Sequence, residues 1–207
     1  MLTDLTITDF LKKLGSKEPA PGGGSSAALA AGLGANLLSM VCRLTAGKKG
    51  YEEHWDECER ENVEIAEAAD RLRVLIDEDT EAFNALMASF KMPKGSPEEK
   101  RARRNEIQKR TKRAIEVPLE VARLSRSLLS KAPRLALIGN SNAISDIGVG
   151  ALLLTAGING AMLNVEINLG GLKDEGFVRE TRDAGKNLLE GVPTDLNAAM
   201  AKVHERL

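Results

Sequence analysis

WDECERENVEIAEAADRLRVLIDEDTEAFNALMASF, residues 55–90, decides the fold. Steps of three and four residues pick out Trp55, Cys58, Asn62, Ile65, Ala69, Leu72, Ile76, Asp79, Phe83, Leu86 and Phe90, all apolar except Asn62 and Asp79. That period predicts one long helix with a continuous apolar seam, ending near Lys91 before Pro93 and Gly95. Asp79 interrupts the seam between Ile76 and Phe83, where a carboxylate must give up water. Asp77, about 200° round the helix, is expected on the solvent face with Arg73 and Asn84, where Asp77→Asn would do little.

Helical patterns continue on both sides. Upstream, TITDFLKKLGS sets Thr6 three residues before Asp9, with Phe10, Leu11 and Leu14 on one face and Gly15 at the stop. SSAALAAGLGANLLSMVCRL, from Ser25 to Leu44, is apolar nearly all round, so it is expected buried on every side, with Gly47 or Gly50 ending it. Downstream, SPEE at 96–99 specifies a helix start. The helix that follows runs towards Lys131, with Ile107, Ala114, Val121, Leu124 and Leu128 inward and a kink expected at Pro118. Its basic residues, Arg101 to Arg113, alternate with Glu98, Glu99 and Glu106 and read as a solvated face. LALIGNSNAISDIGVGALLLTAGINGAML reads as a loop leading into a second buried helix. A polar helix over about 174–190 and a last one after Pro193 close the chain, and NVEIN at 164–168 is the one short candidate strand. The expected architecture is all-α: one domain over 1–207, a bundle of long, partly kinked helices.

Composition narrows the function. Basic and acidic residues nearly cancel, 29 against 30, and aromatics are few, so neither a basic field nor stacking platforms for nucleic acid are present. The most apolar stretch, Ala27 to Cys42, reads as shorter than the ~20 residues of a membrane span. With no basic-then-apolar leader and only Cys42 and Cys58, the expectation is a reduced, cytoplasmic protein without a membrane partner. His54 and His204 are the only histidines, and neither has metal-ligand spacing or a triad pattern. No metal site is expected, and any chemistry falls to carboxylates, lysines and amides.

Candidate chemistry sits in five places. Asp79 is buried by pattern, and burial beside a charged partner (Arg43, Lys48 or Lys49) suits either a structural carboxylate or a general base. PAPGGGSSA at 19–27 puts Gly22, Gly23 and Gly24 before a helix that Ser25 or Ser26 can cap. Glycines there can take positive φ and admit a molecule close to the backbone, or serve only as a hinge. TAGKKGY offers Thr45, Lys48, Lys49 and Tyr51 at a helix end, where the lysines also complement the dipole. GNSNAISD gathers Asn140, Asn142, Ser145 and Asp146, as caps or as readers of a heterocycle. Asn164 and Asn168 lie in apolar company and must be tied down or used. GGGSSA fits G-x-G-x-x-A, but helices flank it where a dinucleotide fold needs strands.

Taken in order, PAPGGGSSAAL, LTAGKKGY, LIDEDTEAFNALMASFKMPKGSPEEK, VPLEVAR, GNSNAISDIGV and LNVEINL resemble the formiminotransferase-cyclodeaminase and methenyltetrahydrofolate cyclohydrolase family, over about residues 3–190. The resemblance covers the cyclodeaminase/cyclohydrolase module alone and implies an all-α homodimer acting on a tetrahydrofolate derivative, with no metal or other cofactor. It puts the family's catalytic aspartate on Asp79. Lys48 is then a candidate for supplying a proton or holding carboxylates. Gly22, Gly23, Gly24, Ser25, Lys49, Tyr51, Asn140, Asn142, Ser145, Asp146, Asn164 and Asn168 fall at the folate site. The implied reaction is hydrolysis of 5,10-methenyltetrahydrofolate to 10-formyltetrahydrofolate, with ammonia-releasing cyclodeamination as the alternative on the same motifs. Without the resemblance, the long seam and the apolar helix would equally suit a non-catalytic helical adaptor.

Overall fold

The computed structural model describes residues 1–207. Seven helices follow one another without a strand: α1 (Ile7–Leu14), α2 (Gly23–Thr45), α3 (Trp55–Phe90), α4 (Pro97–Ile138), α5 (Ile144–Leu169), α6 (Glu175–Glu190) and α7 (Val192–Arg206). The expected boundaries hold where caps specify them. Thr6 Oγ1 accepts the Asp9 N–H, and Ser96 with Glu99 forms a reciprocal capping box. Two expectations fail. The helix expected to reach Lys131 runs on to Ile138, through both Pro118 and Pro133. NVEIN is the last part of α5 rather than a strand, because the apolar stripe before it continues unbroken at helical spacing.

α2 and α5 form the centre, packed antiparallel against each other and enclosed by α3 and α4, with α7 on the far side of α4 and α5. Small residues allow this central contact. A Cβ on Gly34 would lie 2.7 Å from the Gly150 carbonyl oxygen, one on Gly150 2.4 Å from Leu38, and one on Gly157 2.8 Å from Ala31. Thirty-five buried residues make one continuous core, including Leu38, Leu72, Leu75, Leu128 and Leu154 at no more than 2% exposure. Each fully buried side chain of this size stabilises by roughly 1.5–3 kcal/mol.

As helices, Gly23–Thr45 and Ser141–Leu169 are long and apolar enough by length and composition to cross a membrane, which corrects the shorter apolar run counted in the sequence. About half of each apolar window is buried inside this bundle. The basic stretch of α4 is largely a solvated face: Arg101, Arg104 and Lys109 are exposed, while Arg110, Lys112 and Arg113 reach Glu106, Asp174 and Glu78. On α3, Arg71 bridges Glu78 and Glu120.

Because the Cβ added at residue 34 would meet backbone, Gly34→Val must push α2 from α5. Overpacking of that kind costs typically 1–3 kcal/mol or more. Urea unfolding should show a lower midpoint at unchanged slope; an unaltered midpoint would mean the helices are not in contact there.

Candidate active site

The start of α2 decides the site. Gly22 occupies the cap position in extended conformation and no side chain caps the helix, contrary to the expectation for Ser25 or Ser26. Ser26 Oγ donates back to the Gly22 carbonyl at 2.8 Å. Ser25 Oγ turns away from the helix and donates to Asp79 Oδ2 at 2.9 Å, with Thr80 Oγ1 at 3.1 Å beside it. The Ser25 N–H also serves the Asp79 carboxylate. At the start of α2 the group that Ser25 holds is thus the protein's own aspartate.

Space, not backbone conformation, explains the glycines. Positive φ occurs only at Gly47 and Gly50, so the expectation of left-handed glycines at 22–24 is not met. A Cβ on Gly24 would lie 2.0 Å from Asp79 Oδ1, whereas one on Gly23 would meet the Asn164 amide at 3.3 Å. Nothing lies within 4 Å of the corresponding position on Gly22. Gly24 is absent a side chain because the Asp79 carboxylate occupies that volume.

Asp79 is half-buried, and its carboxyl titrates above the usual carboxylate range because burial outweighs the hydrogen bonds from Ser25. None of the proposed basic partners, Arg43, Lys48 or Lys49, reaches it; Ser25 is the group that holds it. The carboxylate borders a cavity of about 290 Å³ shared with Gly23, Thr80, Phe83, Ala114, Asn164 and Asn168. Asn164 Nδ2 donates to the Gly160 carbonyl at 2.9 Å, and Asn168 Nδ2 to Ala114 and Asn164 carbonyls at 3.1 and 2.9 Å. Asn168 thus uses both amide hydrogens on backbone carbonyls and Asn164 one, which fixes both side chains at the cavity wall.

Asp77 corrects the face assignment. It is buried, 6% exposed, accepting from the Leu2 N–H and, at 2.6 Å, from Thr3 Oγ1. The N-terminal turn Leu2–Asp4 covers this side of α3, a contact across about 75 positions that helical periodicity cannot see. The residue expected on the solvent face is thus the one that anchors the N-terminus.

The remaining expected site residues gather elsewhere. Lys48 Nζ donates to Asn140 Oδ1 at 2.7 Å, and Asn140 is itself buried and tied to Thr45 Oγ1 and the Leu44 carbonyl. Tyr51 Oη donates to Ser141 Oγ and accepts the Ser141 N–H, an arrangement that holds the phenol below its usual range. The Asn142 N–H closes onto Asn140 Oδ1, Lys49 is exposed, and Ser145 and Asp146 open α5. This second cluster sits at the C-terminal end of α2. With 23 residues in that helix, it lies about 33 Å from Gly23 at 1.5 Å rise per residue. Within one chain the structure brings Asp79 together with Gly22, Gly23, Gly24, Ser25, Asn164 and Asn168, and Lys48 together with Tyr51 and Asn140, but not the two groups with each other.

Thr80, Ala114 and Ile167 also line the Asp79 cavity and were not singled out in sequence. Thr80 follows Asp79 directly, and Ile167 continues the apolar stripe of α5, whereas Ala114 carries no mark beyond helical spacing. A larger cavity of about 830 Å³ opens between α5 and α6 beside Leu163 and Leu189. Its carboxylates lie on the surface, with Glu166 paired to Arg182 at 2.6 Å, whereas the smaller cavity holds the partly buried Asp79.

The helical bundle thus sets a partly buried aspartate at the start of α2, beside two asparagine amides and with no histidine at hand. The chain belongs to the formiminotransferase-cyclodeaminase family, whose profile matches residues 6–187. It is therefore an enzyme of folate one-carbon chemistry. It is 40% identical to the methenyltetrahydrofolate cyclohydrolase of Methylorubrum extorquens, over 97% of this chain and 94% of that one. It is 35% identical to the formimidoyltransferase-cyclodeaminase of Rattus norvegicus, over 99% of this chain but only 38% of that longer protein. The crystal structure of formiminotetrahydrofolate cyclodeaminase from Thermotoga maritima superposes with a TM-score of 0.88 at 28% identity, covering 99% of this chain and 98% of the other.

Substitution separates space from conformation. Gly24→Ala should fold, since φ there is unstrained, but the methyl group must displace Asp79 and turnover should fall by about 10²-fold. Gly22→Ala should leave turnover near wild type. Steady-state rates and melting curves for the two variants check this; equal losses would assign the glycines to a hinge.

Proposed function

We propose that this enzyme hydrolyses 5,10-methenyltetrahydrofolate to 10-formyltetrahydrofolate, with Asp79 as general base. The observation that carries the proposal is the Asp79 carboxylate, kept partly desolvated at the start of α2 and bordering a cavity lined by Asn164 and Asn168. The bridge carbon of the substrate belongs to an amidinium cation, which a lone carboxylate attracts. Asp79 takes a proton from water as the water oxygen bonds to that carbon. The tetrahedral adduct then collapses: its hydroxyl gives up its proton and becomes the formyl oxygen as the bond to the pterin nitrogen breaks. That nitrogen gains a proton, and the formyl group stays on the aniline nitrogen, with one proton released overall. General-base assistance typically contributes about 10²–10⁴-fold. The nearly full-length likeness to a methenyltetrahydrofolate cyclohydrolase favours hydrolysis. Likeness to a formiminotetrahydrofolate cyclodeaminase supports the second reading, closure of the same bridge with loss of ammonia.

A cavity of about 290 Å³ sits at the small end of ligand sites, while folate is elongated, with pterin, aminobenzoyl group and glutamate in line. The rest of the site comes, in this proposal, from a second copy. Leu33, Met40 and Leu44 on α2 and Val149, Leu152, Leu163 and Ile167 on α5 form exposed apolar stripes, Leu163 at 74% and Ile167 at 77%. Apolar area of this extent marks an interface. The stripes end at the two polar clusters: Ile167 lines the Asp79 cavity, and the Leu44 carbonyl accepts from Asn140. A two-fold axis across their middle exchanges ends, laying Lys48 of one protomer against Asp79 of the other. Lys48 can there hold the glutamate carboxylates or supply the proton to the leaving nitrogen.

Asp79→Asn should lower turnover by about 10²–10⁴-fold. The Asn oxygen can still accept the Ser25 N–H, so the fold should survive. The raised carboxyl value fixes the sign of the pH effects. Native protein binds the proton more tightly than unfolded chain does, so the wild type loses stability as pH rises through the carboxylate range to the raised native value. The variant should therefore melt no lower than wild type at pH 7, while wild-type turnover rises with pH through the native Asp79 value. Loss of the near-ultraviolet absorbance of methenyltetrahydrofolate reports the reaction, and a stable variant with undiminished turnover removes Asp79 from the mechanism.

Co-expressing Asp79→Asn with Lys48→Met chains should restore activity that neither has alone. Random pairing makes half the dimers mixed, each with one intact site, so recovery should approach about a quarter of wild type. No recovery would place both residues' roles within one chain.

A further inference from the structure

We propose that Arg206, on the last turn of α7, is a positioning residue for the Lys48–Asn140 half of the site, which rests on the two-part site above. Its guanidinium donates from Nη1 to the Ala136 carbonyl at 2.6 Å and from Nη2 to the Gly139 carbonyl at 2.8 Å. These are carbonyls of the final turn and cap of α4, groups that the end of a helix leaves without partners. A planar two-pronged guanidinium fixes both at once in one set geometry, which a rotating ammonium on a flexible stem does less rigidly.

The consequence is carried by the next residue. Asn140 follows Gly139 directly, and its Oδ1 takes both the Lys48 ammonium and the Asn142 N–H. Ser141 then engages the Tyr51 hydroxyl. Arg206 touches neither Lys48 nor Tyr51 through a hydrogen bond; it clamps the backbone from which both are held. Its charge is also close enough to favour the ionised phenol of Tyr51, after the larger effect of Ser141. α7 is separately anchored by buried Val192, Ala199 and Val203, so the helix does not depend on this arginine to stay in place.

Tyr51 is the only tyrosine in the chain, so tyrosinate absorbance during a pH titration reports on this loop alone, without substrate. In Arg206→Ala the phenol midpoint should move up towards the ordinary value of about 10, with little change in melting temperature. With methenyltetrahydrofolate, kcat/KM should fall by up to about 10²-fold through misplacement. Arg206→Lys, which keeps the charge but not the planar fork, should recover part of both. An unmoved Tyr51 midpoint with unchanged kcat/KM in the folded variant would reduce Arg206 to a helix cap and overturn the proposal. If Arg206→Ala does not fold, the lysine variant decides by the same two readouts. A wild-type protein inactive on folate would end the functional reading, while the titration would still test the clamp.

Discussion

Backbone contact between α2 and α5 is the constraint on which the other features hang. Glycines 34, 150 and 157 let two helices approach until a carbonyl of one lies where a side chain of the other would begin. The approach sets the register along the pair: Gly23 is brought to Asn164 at one end, and the end of α2 is brought to Asn140 at the other. Loosening the middle would disturb both polar clusters, although neither is near it. The same closeness leaves few large side chains between the helices, so their outer faces keep apolar residues for use elsewhere.

Asp79 shows how a bundle poor in histidine can provide a base. Burial raises the cost of the charge, while the hydroxyl and N–H of Ser25 at the start of α2 lower it. The outcome is a carboxylate more basic than usual yet still held in one orientation. An ion pair with Lys48 or Arg43 would have done the opposite, pulling the carboxyl down and weakening it as a base. Ser25, a neutral partner, avoids this.

Much of the bundle was legible because helix caps and apolar spacing are local. Thr6, Ser96 and the seam from Cys58 to Leu86 mark their own elements. Asp79 stood out for the same reason, as a charge in an apolar period. What stayed hidden depends on contacts between distant segments. Asp77 obeys the periodic rule for a solvent-facing residue, but the turn at Leu2–Asp4 folds over it. The glycine run suggested left-handed backbone or room for a bound molecule; the room at Gly24 is filled instead by the protein's own carboxylate, 55 positions away and so out of reach of local pattern. The division of the site into two clusters is invisible to motif order, which says which residues belong together in a family and not how far one helix carries them apart.

The fit between Gly24 and Asp79 also has an evolutionary reading. A methyl group at position 24 and a carboxylate at position 79 cannot occupy the same volume, so position 24 is not free to drift while the aspartate is kept. A lineage that loses the aspartate releases the glycine from constraint, and alanine or serine can then accumulate there at no cost to folding. Among descendants of such a bundle, a side chain at position 24 would therefore mark a scaffold that has given up the chemistry and kept the fold.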